Sequence, residues 1–289
     1  MLLARAAHFF AASDSGYADR CRIAAERIAD FIERTDVFNT PYIPPVQSLP
    51  RGTQGGDFYW QTYRNSAAGL AGRTGVALEL GQLETARERG EELVELQARK
   101  GYFHECAHVD RAAFSDCWYN FAIHGPAILI PLARSDRRQF SGALSNYAEF
   151  LAAEFDTADF NWLPRFVYDR NSGKNVLSHS TGSSYALQCA VLFAETAKVL
   201  NRSEFLKYSQ RAFDWICGAN PEEASYITGM GYNQKRNPVF GQFFPSTPQI
   251  PGGIQHVMEG EYDMPSVGMA LWTIAALSTP EESFDPNVN

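Results

Sequence analysis

The chain has 289 residues, 45% of them apolar and 20% charged, a globular composition long enough for one large core or two ordinary ones. A net charge of −8, with Lys and Arg scattered rather than clustered, argues against nucleic-acid and anionic-membrane partners, and no apolar run approaches bilayer-spanning length. The five cysteines, at 21, 106, 117, 189 and 217, form no Cys-x-x-Cys pair, so neither a disulfide framework nor a structural zinc site is expected, and no cofactor is implied.

Residues 2–12 carry Leu3, Ala6, Ala7 and Phe10 at helical spacing. Arg5 and His8 interrupt any signal-peptide pattern there, so the segment reads as a core helix. Ser13-Asp14-Ser15-Gly16 breaks it, and a second amphipathic helix runs from Tyr17 to about Glu33, completing a hairpin. A long loop rich in Pro, Gly and Asn covers 35–57. A small-residue helix over Asn65 to Gly81 and a charged helix to about Lys100 form the second hairpin. The third pairs roughly Ser115–Arg134 with Asp136–Phe155, with Ser115-Asp116 as a cap candidate and Gly125-Pro126 as a kink. After an aromatic loop (Phe160, Trp162, Phe166, Tyr168), Thr181–Leu200 pairs with Ser203–Cys217, and a ninth helix covers about Pro265–Leu277. Almost no period-two pattern occurs. The expectation is a single all-α domain over 1–289, built from antiparallel helical hairpins side by side.

The stretch between the last two helices is the most distinctive. It reads Asp214-Trp215-Ile216-Cys217-Gly218-Ala219-Asn220-Pro221, then Ser225-Tyr226-Ile227-Thr228-Gly229-Met230-Gly231-Tyr232-Asn233, then a Pro-rich loop to Gly252-Gly253, then Glu259-Gly260-Glu261-Tyr262-Asp263-Met264-Pro265. Long irregular segments in a compact protein are usually functional. This order of motifs resembles the C-terminal part of glycoside hydrolase family 9. The resemblance implies an (α/α)6 toroid, of which this chain would supply about nine of the twelve helices, and inverting hydrolysis of β-glucan-type bonds in an oligo- or polysaccharide. The N-terminal Asp-x-Gly-Asp segment that carries the family's catalytic base has no counterpart: the one Gly-Asp pair, Gly56-Asp57, follows the first hairpin. The expectation is therefore an N-terminally incomplete or degenerate relative, any secretion signal belonging to the missing part. Apolar faces left without partners, with Leu3, Ala7 and Phe10 among them, would favour self-association.

Inverting hydrolysis needs a protonated carboxyl at the leaving oxygen and a carboxylate activating water, roughly 6.5–9.5 Å apart. The family's acid precedes the last helix, where Glu259 and Glu261 stand here, out of the family's register by a few residues, with Glu259 favoured. Both would equally serve as helix-capping carboxylates. Tyr232 and Arg236 occupy the loop where the family contacts sugar hydroxyls, without its paired histidines, and His256 stands beside the candidate acids as a further substrate-binding candidate. Trp60, Tyr63 and Trp118, before helices, are candidate platforms for the apolar face of a sugar ring, as well as ordinary core aromatics.

His104-Glu105-Cys106-Ala107-His108 satisfies His-Glu-x-x-His, which binds zinc when it lies on a helix. Here it falls in an expected loop, without a third ligand at a suitable spacing, so no metal site is assigned. Neither a phosphate-binding Gly-rich loop nor Gly-x-Ser-x-Gly occurs. The alternatives to a hydrolase are a sugar-binding remnant without activity, and a toroidal epimerase or lyase using His179 or His256.

Overall fold

A computed structural model describes residues 2–34, 67–106, 109–112, 126–158, 165–169, 174–178, 183–231, 233, 252–254 and 264–278. Among these, nine α-helices make four hairpins and a closing helix: α1 (Leu2–Phe10), α2 (Ser15–Arg34), α3 (Ala67–Glu79), α4 (Leu83–Glu95), α5 (Leu129–Ser135), α6 (Arg137–Thr157), α7 (Ser183–Leu200), α8 (Leu206–Cys217) and α9 (Met264–Leu277). All but α5 lie where apolar periodicity places them, to within a few residues.

Local chemistry sets the boundaries. Asp14 Oδ1 accepts from the Tyr17 amide at 2.8 Å, capping α2, and Asp136 accepts from the Gln139 amide at 3.3 Å, capping α6. In the expected helix over Ser115–Arg134, the described residues open with a 3-10 turn at Pro126–Ile128 that leads into α5. Pro131 sits in the first turn of α5, where its missing amide costs no intrahelical bond. Ser115-Asp116 lies outside the described residues.

Packing follows the helical stripes. α4 buries Ala86, Gly90 and Leu93, and α6 buries Phe140, Leu144, Tyr147, Leu151 and Phe155, each at intervals of three or four residues. α7 is buried on nearly every side between α6, α8 and α9. Phe155, Phe193 and Tyr208 join α6, α7 and α8 through edge-on and tilted ring contacts. At Gly90 the helices meet closely: an added Cβ would stand 2.6 Å from Leu132 Cδ1 and 2.9 Å from Phe140 Cε1. Gly90→Ala is expected to lower stability by about 1–3 kcal/mol through overpacking, measured as a shift in urea midpoint at constant m-value.

Two small antiparallel sheets accompany the helices. β1 (His104–Cys106) pairs with β2 (Val109–Ala112), and β3 (Arg165–Asp169) pairs with β4 (Lys174–Ser178) from Arg165–Ser178 to Asp169–Lys174. The expected aromatic loop thus contains a strand. Phe166, Val167 and Tyr168 in succession hide the alternation that normally reveals a strand. His104 lies in a strand, not a helix, so the His-Glu-x-x-His spacing does not stack two imidazoles on a helix face; His108 lies outside the described residues. Among the described residues no group of three His, Cys, Asp or Glu could hold a metal, and no helix is long and apolar enough to cross a membrane.

The connections alternate in length. Within hairpins they are short: 11–14, 80–82, 136 and 201–205. Between hairpins, and before α9, they are long: 35–66, 96–128, 158–182 and 218–263. The odd-numbered helices run the same way, because their C-terminal halves meet. His8 Nε2 of α1 donates to the Glu79 carbonyl at the end of α3. Arg134 of α5 and Trp272 of α9 both donate to Glu195 of α7, the indole at 2.6 Å. The long connections therefore enter these helices at their N-terminal ends.

Candidate functional site

All eight candidate residues belong to the long connections: Trp60 and Tyr63 before α3, Trp118 before α5, and Tyr232, Arg236, His256, Glu259 and Glu261 before α9. Each lies outside the described residues, as does His179. What the structure describes is the frame that carries the last five, and it is built from the motif after α8.

α8 buries Tyr208, Ala212, Trp215 and Ile216 and stops at Gly218, whose positive φ turns the chain back over the helix end. Asn220, buried, holds that reversal. Its Nδ2 donates to the Trp215 carbonyl at 2.6 Å and to the Ala224 carbonyl at 2.8 Å. Its Oδ1 accepts from the amides of Glu222 at 3.1 Å and Ala224 at 3.3 Å. One side chain thus replaces four bonds that the irregular backbone would otherwise lack. Pro221 follows naturally, because a proline cannot continue the helix.

Tyr226 lies flat on Trp215, with ring centroids 5.4 Å apart and planes 7° from parallel. Its amide donates to the Ile216 carbonyl, and its hydroxyl donates to Glu222 Oε2 at 2.7 Å. Burial first, and then the Glu222 carboxylate, hold this phenol protonated well above the ordinary tyrosine range. Burial and then Asp214 raise the Cys217 thiol in the same way, which makes it a poor nucleophile.

From this anchor the backbone grips both flanks of the segment that follows. The Ser225 amide donates to the Asn233 carbonyl at 2.6 Å. Thr228 donates to the Gly253 carbonyl at 2.9 Å and accepts from the Gly252 amide at 2.7 Å, beside an antiparallel bridge of Ile227 with Ile254. Gly231, at φ +85°, lies so near Ser225 that a Cβ would come within 2.7 Å of the serine Cβ; glycine alone fits both the backbone and the contact. Tyr232 stands between Gly231 and the gripped Asn233, and Arg236 follows Asn233 by three residues. His256, Glu259 and Glu261 fall between the second grip and α9, which begins at Met264.

Chemistry-bearing residue types thus stand at chain positions tied down at both ends by described backbone. The Asn220 amide network, the Trp215–Tyr226 stack and the Thr228 grip were not singled out from the sequence. The Gly-x-Asn-Pro order was their visible signal, since a buried Asn just past a helix-ending Gly is a standard way to satisfy a chain reversal.

The fold is similar to that of solved cellulases. Against the cellulase Cel9M of C. cellulolyticum the TM-score is 0.56 at 13% identity, over 95% of this chain and 60% of that one. The same cellulase in complex with cellobiose gives 0.56 at 14% identity, over 95% and 61%. A metagenome-derived glycoside hydrolase family 9 endoglucanase gives 0.57 at 19% identity, over 95% and 50%. The chain therefore spans between half and three-fifths of the length of these relatives, and its antiparallel hairpins form part of an (α/α)6 toroid like theirs. Among curated proteins none matches it in sequence. The model of glycosyl hydrolase family 9 matches residues 2–243, which covers most of the chain and the Gly-x-Asn-Pro turn, and so the chain belongs to glycosyl hydrolase family 9.

Proposed function

We propose that the chain is a glycoside hydrolase acting on β-glucan-type oligo- or polysaccharide with inversion at the anomeric carbon. The observation that carries this is the family match across the anchored turn that leads to the acidic segment before the last odd helix. Glu259, or else Glu261, is the proton donor to the leaving oxygen. Tyr232, Arg236 and His256 contact sugar hydroxyls, and Trp60, Tyr63 and Trp118 offer ring platforms. The cellobiose complex of a structurally similar cellulase supports a carbohydrate substrate. The carboxylate that activates water is not assigned to a residue of this chain.

The test is hydrolysis of soluble β-glucans with the first-formed anomer followed by NMR. Inverted product is the expected result. Retained product, or no turnover by folded protein, overturns the proposal and favours a sugar-binding relative.

The same reading includes self-association through apolar surface on the first hairpin. Leu2 and Phe9 of α1 and Ile28 and Phe31 of α2 are each at least half exposed, and exposed apolar surface promotes contact between copies. Of the residues expected on this face, Leu3 is exposed, whereas Ala7 and Phe10 are half-buried; Phe10 packs edge-on against Phe9 and Tyr17. Sedimentation is expected to show oligomers that Phe9→Glu with Phe31→Glu converts to monomer. A wild-type monomer at the highest soluble concentration rules this out.

A further inference from the structure

α9 contains no charged residue, and its burial runs against its apolarity. Ser266, Met269, Ala270, Thr273 and Ala276 face inward, whereas Leu271, Trp272 and Ile274 are exposed. Burial of apolar area favours the larger side chains, so it does not by itself select this face. Thr273 donates to the Met269 carbonyl at 2.9 Å, a bond inside α9 that survives any rotation of the helix. A directional contact has to make the choice. Trp272 Nε1 donates to Glu195 Oε1 of α7 at 2.6 Å, and Arg134 of α5 donates to the other oxygen, Oε2. The Glu195 side chain is only 6% exposed. A carboxylate held from two sides and shielded from water makes strong, short hydrogen bonds, so it defines where the indole must sit.

α9 also carries the downstream end of the acidic segment. Glu261 and Glu259 stand three and five residues before Met264, and the upstream end is held at Gly253 and Ile254 by the Thr228 grip and its bridge. We propose that Glu195 is a positioning residue for the proton donor, fixing the rotation of α9 and with it the point at which the acidic segment ends. Cα atoms lie about 2.3 Å from a helix axis, so turning α9 by one residue, about 100°, carries its first residue roughly 3.5 Å sideways. A misplacement of about 1 Å can cost about 10²-fold in rate. Glu195 acts through the helix, not on the sugar. The inference rests on the assignment of the donor to Glu259 or Glu261.

The experiment pairs thiol labelling with kinetics on the full chain. Glu195→Met keeps length and bulk but offers the indole no carboxylate oxygen. Glu195→Gln keeps an oxygen for it, and Arg134, 52% exposed, can turn into solvent. Ala270→Cys reports the buried face of α9, with maleimide modification located by peptide mass. The introduced thiol is expected to be protected beside Glu195 or Glu195→Gln, and to react at least tenfold faster beside Glu195→Met, in protein whose far-UV circular dichroism is native. Without the reporter, Glu195→Met and Trp272→Phe each lower kcat on β-glucan about 10²-fold at nearly unchanged KM. An aryl glycoside with an acidic phenol suffers much less, and Glu195→Gln recovers most of the loss. A thiol equally protected beside Glu195→Met overturns the inference, whether or not the chain hydrolyses glucan. Undiminished glucan hydrolysis by Trp272→Phe also overturns it, and so does equal slowing of both substrates, because a general loosening of the fold does not single out proton donation. If labelling depends on Glu195 but wild type turns over no glucan, the hydrolase reading falls and the catalytic role of Glu195 with it, while the orientation of α9 stands.

Discussion

Asn220→Ala is expected to lower the unfolding free energy by about 4 kcal/mol and to reduce any glycan hydrolysis far more than the loss of folded protein explains. The Asn220 amide satisfies two carbonyls and two amides in a buried turn. Removing it leaves all four without that partner, at roughly 1 kcal/mol or more apiece. Asn220→Asp separates the two halves of the network. It retains the acceptor for the Glu222 and Ala224 amides and sets an oxygen against the carbonyls of Trp215 and Ala224, so it is not expected to rescue stability. Urea titration of both variants measures this, with the m-value reporting any change in compactness. A loss below 1 kcal/mol for the alanine variant would show that solvent or a rearranged turn replaces the amide, and the anchor would have to be sought in the Thr228 grip instead.

The helices were legible because their physics is local. Ala86, Gly90 and Leu93, or Phe140, Leu144, Tyr147 and Leu151, repeat at three or four residues, and no neighbour is needed to see it. Pairing was legible from the brevity of the turns at 11–14, 80–82 and 136. What escaped depends on contact across the chain or on elements too short for a period. β1 has three residues and β3 has five. The exchange among Arg134, Glu195 and Trp272 joins positions 61 and 77 residues apart, and nothing in the local pattern of α5 or α9 announces it. Gly90 reads in sequence as a weak helix position. In space it is the gap that admits Leu132 and Phe140.

The site was legible in a different sense. Motif order located the turn and the acidic segment, but not the forces that hold them. Asn220 and Thr228 act through backbone partners, so their residue types carry little chemical advertisement. Glu259 and Glu261 are ordinary acids before a helix, and only their place after an anchored turn distinguishes them from capping carboxylates.

Glu259→Gln is expected to reduce kcat on β-glucan by 10²- to 10⁴-fold, the range a positioned general acid contributes, with KM nearly unchanged. An amide is close in size to a carboxyl and still donates hydrogen bonds, so substrate binding persists while proton transfer to the leaving oxygen is lost. The leaving group provides the decisive comparison. An aryl glycoside whose phenolate departs without protonation should suffer much less than a glucan in the same variant, because the acid's contribution shrinks as the leaving group becomes more acidic. A capping carboxylate behaves otherwise: its loss costs at most about 1 kcal/mol of helix stability and slows both substrates alike. Glu261→Gln supplies the alternative assignment. Should it show the leaving-group dependence while Glu259→Gln does not, the acid is Glu261. If neither does, the proton must come from another group, and the acidic segment before α9 serves only to begin the helix.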